Sequence, residues 1–149
     1  MITRLGHLCL KTAQFDSLVA FYRDVLGLPV KFTFINKDGA LFGAYFDLGN
    51  MTFLEIFDQA GSNREWGGGT DPLRANEHTF YQHFCLEVRG LESFREKLRA
   101  QGVAVTEVVV GMDGSKQAWM KDPDGNSIEL MEYTPVSLQL KAGNGHVAR

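Results

Sequence analysis

The chain says much the same thing twice, and each time a histidine is answered at long range by a glutamate. The first half opens on His7-Leu8-Cys9-Leu10 and, 48 positions after the histidine, reaches Phe53-Leu54-Glu55-Ile56. The second opens on His83-Phe84-Cys85-Leu86 and, 46 positions on, reaches Ser127-Ile128-Glu129-Leu130. Between these anchors the order of features also repeats. Phe15-Asp16-Ser17-Leu18 leads an apolar-periodic run to Gly27, and Leu91-Glu92-Ser93-Phe94 leads a like run to Gly102. A Gly-Asn pair precedes each glutamate, Gly49-Asn50 and Gly125-Asn126. Duplication on this scale restricts the fold to two copies of one supersecondary unit. In a chain of 149 residues such copies are small and are expected to share a core. They read as a single domain over 1–135, with modules at about 1–58 and 80–134.

The periodicity predicts βαβββ in each copy, and therefore an α+β fold. In the first copy Ile2 to Lys11 alternates as a strand, and Phe15 to Gly27 has helical spacing with Asp16 or Ser17 placed to cap it. Val30 to Ile35, Ala40 to Leu48 and Met51 to Phe57 follow as strands, divided by turns at Lys37-Asp38-Gly39 and Gly49-Asn50. The second copy runs Phe80 to Val88, a helix from Leu91 to Ala100, then Val103 to Val110, Lys116 to Lys121 and Ser127 to Tyr133. Asp122-Pro123-Asp124-Gly125 makes its last hairpin turn. Residues 59–79 read as an insertion loop, and 136–149 as a poorly ordered tail. Each copy should form a curved mixed sheet with its helix on one face and His and Glu on the other. Exposed sheet edges and apolar surface lead us to expect a homodimer.

Composition enters as a filter. A net charge of −3 offers no basic excess for nucleic acid or an anionic membrane. No apolar run approaches a membrane span, and His7 comes too early to leave room for a signal peptide. Cys9 and Cys85 occupy matching places in the two copies, which suits equivalent packing positions better than a disulfide. A cytoplasmic protein is the expectation.

Four anchors need a physical account. Side chains alternate along a strand, so His7 shares a face with Cys9 and Lys11, and Glu55 shares one with Phe53 and Phe57. A glutamate inside a segment as apolar as Thr52-Phe-Leu-Glu-Ile-Phe57 is costly to bury without a partner. One such residue would suggest a solvated face. Two histidines and two glutamates at equivalent places suggest a site. His7, Glu55, His83 and Glu129 together would offer two imidazole nitrogens and two carboxylate oxygens, a set suited to Zn, Ni, Co, Fe or Mn. On a six-coordinate ion they would leave two positions for water or substrate. The long stretch before His83 adds Trp66, Arg74 and Phe80, a basic and aromatic lining for an anionic small molecule, a coenzyme A thioester included.

At these residues the sequence resembles the vicinal oxygen chelate superfamily, and within it the glyoxalase I (lactoylglutathione lyase) group. The resemblance spans roughly Thr3 to Tyr133. It rests on His7, the run FYRDVLGL from Phe21 to Leu28, Leu54-Glu55, His83, and the run KDPDGNSIEL from Lys121 to Leu130. The order His, Glu, His, Glu is that of glyoxalase I and the related methylmalonyl-CoA epimerases. Extradiol dioxygenases and fosfomycin-resistance enzymes, with three ligands, lack the glutamate matching Glu55. The resemblance implies the glyoxalase/bleomycin-resistance/dihydroxybiphenyl-dioxygenase fold and a divalent metal on these four residues.

It further implies conversion of a methylglyoxal–thiol hemithioacetal to a lactoyl thioester through an enediolate, with glutathione as the candidate thiol. Glu129 is then the base and Glu55 the opposite carboxylate. Lys11 and Gln59 match positions that hold glutathione, and Lys116 falls where a basic residue meets its glycyl carboxylate. The histidine in the first ligand position resembles the nickel- and cobalt-activated group, whereas the long insertion resembles the zinc group. Glyoxalase I builds a site from two chains; the epimerases build it within one. The alternatives are a small-acid or methylmalonyl-CoA epimerase and a metal-free sequestering protein of the bleomycin-resistance type.

Overall fold

A computed structural model of the chain describes residues 3–69, 71–73 and 81–141. It divides into two compact units, Met1–Ala75 and Asn76–Arg149. The first contains strand β1 (His7–Thr12), helix α1 (Phe15–Ala20), strands β2 (Val30–Ile35), β3 (Leu41–Asp47) and β4 (Phe53–Asp58), and helix α2 (Gln59–Trp66). The second contains β5 (Phe84–Glu87), α3 (Leu91–Ala100), β6 (Val109–Val110), β7 (Lys116–Lys121) and β8 (Ser127–Glu132). Each unit has its own four-stranded mixed sheet, in the order β1-β4-β3-β2 and β5-β8-β7-β6. The expected α+β class and the βαβββ order are both found.

In each sheet the first and last strands are neighbours and run parallel, while the hairpin strands are antiparallel. A parallel neighbour cannot be reached by a tight turn, so the helix and hairpin serve as the crossover. The helices cover one face. Leu18 and Tyr22 are fully buried over Phe46, Leu54 and Ile56 of the first sheet. Leu91 and Leu98, two turns apart, are buried over Ala118, Ile128 and Leu130 of the second. Truncating any one of these large side chains would cost about 2–5 kcal/mol.

The structure redraws several boundaries. Strand β1 begins at His7, later than the alternation suggested, because its partner β4 begins at Phe53, opposite His7. Helix α1 takes no side-chain cap from Asp16 or Ser17. Instead the Gln14 N–H ahead of it donates to the Thr12 hydroxyl at 2.9 Å. The first helix then widens into a π-helical turn over Phe21–Val25, where the Leu26 N–H donates to the Phe21 carbonyl. That turn buries the adjacent rings of Phe21 and Tyr22 edge to face, and Gly27 at φ +71° ends it.

The stretch read as a loop from residue 59 opens with α2, capped by Asp58, whose carboxylate accepts from the Gly61 N–H at 2.6 Å. The strand expected over Val103 to Val110 shrinks to β6 plus one bridge from Val105 to Met120. Part of the expected tail is ordered: buried Ser137 accepts from Ser115, and the Leu138 N–H donates to the Asp113 carbonyl.

Helix α3 is capped from outside its own segment. Gly90, at its N-terminus, has no side chain to offer, and the Glu132 carboxylate at the end of β8 accepts from the Gly90 and Leu91 N–H groups at 2.7 and 3.2 Å. Those two bonds hold the Glu132 carboxyl below the usual carboxylate range. A folded-state value lowered in this way stabilises the fold above the unfolded value, and the stabilisation is lost as pH falls through the folded one. Glu132→Gln should therefore cost about 1 kcal/mol at pH 7, read as a lower Tm. The gap to wild type should close as the pH drops below about 4.3; a gap that persists unchanged in acid would contradict this account.

Candidate functional site

Each sheet has one face under its helix and one face free of it, and the helix-free face carries the expected residues. In the first unit the register sets Cys9 opposite Glu55 and Glu55 opposite Tyr45. His7, two residues before Cys9, reaches back so that its Nε2 stands 3.6 Å from Glu55 Oε2. In the second unit Cys85 lies opposite Glu129 and Glu129 opposite Trp119. His83, one residue ahead of β5, places Nε2 at 3.3 Å from Glu129 Oε2. The four anchors thus form two matching pairs, one in each unit.

Both pairs are built alike. The carboxylate is the enclosed partner, 14% exposed at Glu55 and 7% at Glu129, while His7 and His83 are 48% and 37% exposed. A ring braces each imidazole: Tyr45 lies 5.7 Å from His7, and Trp119 meets His83 edge to face at 4.8 Å. Neither ring was singled out from the sequence. The signal was present, since Tyr45 and Trp119 each stand ten positions before their glutamate. The two thiols are protonated neighbours rather than anions. Loss of hydration first, and then the Glu55 carboxylate, pushes Cys9 up to about 12. Loss of hydration followed by the charge of Glu129 pushes Cys85 up to about 12 as well.

Around the first pair the face is aromatic. Phe32 stacks on Tyr45 at 4.5 Å, Phe34 lies 5.0 Å from Phe57, and Trp66 of α2 meets Phe57 at 4.8 Å. Gly43 makes room for this packing, because a Cβ there would stand 2.6 Å from the Phe57 ring and 2.8 Å from Phe34.

Each expected substrate contact that the structure describes already has a partner of its own. Lys11 shares the face of His7 and Cys9, and its Nζ donates to Asn63 Oδ1 at 3.2 Å. Gln59 opens α2 and donates to the Asp71 carbonyl at 2.8 Å. Lys116 is paired with Glu92 at 2.8 Å, and it stands opposite Glu132 in the β7–β8 register. That odd spacing from Trp119 turns Lys116 to the face opposite Glu129. Arg74 and Phe80 lie outside the described residues. Within each unit the donors come as a pair, and among the described residues no three His, Cys, Asp or Glu side chains gather in a group fit to hold a metal ion.

The family profile described as the Glyoxalase/Bleomycin resistance protein/Dioxygenase superfamily matches residues 4–130. The chain is 29% identical over 131 residues to a lactoylglutathione lyase of Escherichia coli O157:H7, covering 87% of this chain and 92% of that protein. It is 30% identical over 132 residues to the lactoylglutathione lyase of Haemophilus influenzae, covering 85% and 90%. Among solved structures, SMU.1112c superposes with a TM-score of 0.72 at 25% identity, over 89% of this chain and 100% of that one.

The glycine that seats the aromatic face yields a test. Gly43→Ala should overpack that face at a cost of about 1–3 kcal/mol, measured by urea unfolding. Adding Phe57→Leu should recover part of the loss by freeing the space a methyl needs. A double variant no more stable than Gly43→Ala alone would mean that the crowding lies elsewhere.

Proposed function

Because the chain belongs to the Glyoxalase/Bleomycin resistance protein/Dioxygenase superfamily, we propose that it is a divalent-metal-dependent lyase/isomerase of the glyoxalase I type. His7, Glu55, His83 and Glu129 are its metal ligands and Glu129 is its base. The observation that carries this reading is the duplicated pair: each unit sets an imidazole nitrogen 3.6 or 3.3 Å from a carboxylate oxygen on its helix-free face. Neighbouring ligands bound at about 2.1 Å to one ion stand about 3 Å apart at right angles, so each pair is close to the spacing of two adjacent ligands. Nitrogen and carboxylate donors suit Ni, Co, Zn, Mn or Fe. The bound ion would supply Lewis-acid stabilisation of vicinal substrate oxygens, worth several kcal/mol.

The rest falls to the protein. In a hemithioacetal of methylglyoxal and a thiol, the carbon-bound proton passes to the Glu129 carboxylate, leaving an enediolate. Glu129 returns a proton to the neighbouring carbon, giving the lactoyl thioester. One C–H bond breaks and one forms, the hydroxyl proton moves from the former aldehyde oxygen to the former ketone oxygen, and no electrons leave the substrate. Glu129 suits this work because it is the more enclosed carboxylate, 7% exposed against 14% for Glu55. Glu55 is the opposite carboxylate. Lys11, exposed on the His7 face, and Gln59 would exchange their present partners for the anionic arms of a thiol such as glutathione. The lactoylglutathione lyase relatives support the substrate class, and the exposed edge strand β2, with Phe32 46% exposed, supports a homodimer.

Three measurements test this reading. Metal analysis after reconstitution should find one ion per chain, and His83→Ala should lose most of it; unchanged metal binding in His83→Ala would remove His83 from the ligand set. Turnover of methylglyoxal with glutathione should vanish on chelation and return with Ni²⁺, Co²⁺, Mn²⁺ or Zn²⁺. Turnover of methylmalonyl-CoA instead would identify an epimerase, and ligand capture without metal a sequestering protein. In D₂O, Glu129→Gln should slow exchange of the substrate's carbon-bound hydrogen by about 10²–10⁴-fold at matched metal occupancy. Glu55→Gln should slow it less. The reverse order would exchange their roles.

A further inference from the structure

The second unit contains a cleft that this proton chemistry does not use. It has a volume of 770 Å³ and lies where α3 ends, between Arg99 and Gly102, the segment Val103–Thr106, and the Trp119–Lys121 end of β7. The shortened fourth strand creates it. Because β6 covers only Val109–Val110, the far end of β7 has no continuous neighbour on the side away from β8. There the chain touches β7 through the Val105–Met120 bridge and through Thr106, which donates its N–H to the Trp119 carbonyl and accepts the Trp119 N–H on its hydroxyl. Buried Arg95 holds this wall in place, its Nε donating to the Thr106 carbonyl at 2.6 Å. The cleft is therefore a built feature rather than a gap between mobile side chains.

Its charge is one-sided. Arg99 and Lys121 both line it, and no aspartate or glutamate does. The only ion pair of Arg99 among the described residues is with Glu96, at 3.7 Å and exposed on both sides, where such pairs are weak. Lys121 has no ion pair among the described residues. The negative end of the α3 dipole opposes an anion here, but it amounts to roughly half a charge. Two of the terminal carbonyls are already engaged, Leu98 by the Gln101 and Val103 N–H groups and Arg99 by that of Gly102. Two full positive charges outweigh it. The rest of the lining is mainly apolar, from Val103, Ala104, Val105, Met120 and Trp119, with Thr106 and Ser127 adding polar groups. The volume lies in the range of small-molecule pockets, about 300–1,000 Å³.

We propose that this cleft binds an organic acid with an apolar body, its carboxylate held by Arg99 and Lys121 and its hydrocarbon lying on Val103, Val105 and Trp119. Neither His83 nor Glu129 lines the cleft, and Trp119, which braces His83, is the residue common to both. It requires no metal.

Trp119 provides the readout, since the chain has two tryptophans and Trp66→Phe leaves it alone. Octanoate, titrated into the Trp66→Phe protein with excess EDTA, should change the emission saturably, and octanol should bind at least tenfold more weakly. Lys121→Met and Arg99→Met should each raise the octanoate Kd about tenfold and leave octanol unaffected. Arg99→Lys, which keeps the charge, should recover much of the affinity. Equal binding of acid and alcohol, or of wild type and both methionine variants, would overturn the proposal. Saturation that disappears when EDTA is added would also overturn it, by assigning the carboxylate to a metal instead. Since the titration needs neither metal nor turnover, it stands or falls independently of the lyase reading.

Discussion

Everything at the candidate site depends on the parallel pairing of the first and last strands of each unit. It is this pairing that brings a histidine near one end of the repeat beside a glutamate near the other. The register does the placing: Cys9 faces Glu55 and Cys85 faces Glu129, so the histidine two residues earlier reaches the carboxylate. A slip of one residue in either ladder would turn the glutamate toward the helix. There it would sit among positions such as Leu54 and Ile56 or Ile128 and Leu130, all essentially inaccessible to water. A carboxylate without a partner in that layer is costly enough to forbid the slip. The hydrophobic layer therefore holds the polar pair in register, although it lies on the other side of the sheet.

The two units keep this backbone arrangement and differ in what surrounds it. In the first, β2 is a full strand, and the helix-free face becomes a surface of stacked aromatic rings on which His7 and Glu55 sit. In the second, the corresponding strand is reduced to two residues, and the space beside β7 becomes a cleft with cationic groups. The pairs themselves are incomplete, since a single imidazole and a single carboxylate leave most of an ion's coordination unfilled. Their exposed imidazoles and enclosed carboxylates nevertheless follow one pattern in both units, which a chance surface ion pair would not repeat.

Much of this was legible before any coordinates. Helix α3 and strands β2 and β7 fall where the periodicity put them, because each has a clear apolar pattern between strong turn residues. The polar anchors were legible for the same reason, as charges interrupting apolar strands at repeated places. The misreadings are equally instructive. Val103 to Val110 has a strand's composition, but a strand needs a partner, and Arg95 and Thr106 direct that segment elsewhere. Helix α2 has little amphipathic pattern and owes its start to the Asp58 cap, so composition alone made it a loop. The pairing of Lys116 with Glu92 from α3 is a contact between distant segments that local pattern does not reveal.

By itself the sequence determined the duplication, the α+β order of elements and the identity of the four polar anchors. These follow from short-range periodicity and from the cost of placing charge in an apolar strand. Only the tertiary structure decided that His7 meets Glu55 and His83 meets Glu129, that Tyr45 and Trp119 brace the imidazoles, and that a cleft opens beside β7. Each of these depends on the register between strands far apart in the chain. Register is set by burial of the whole helix-facing layer at once, a collective property that no local stretch of residues encodes.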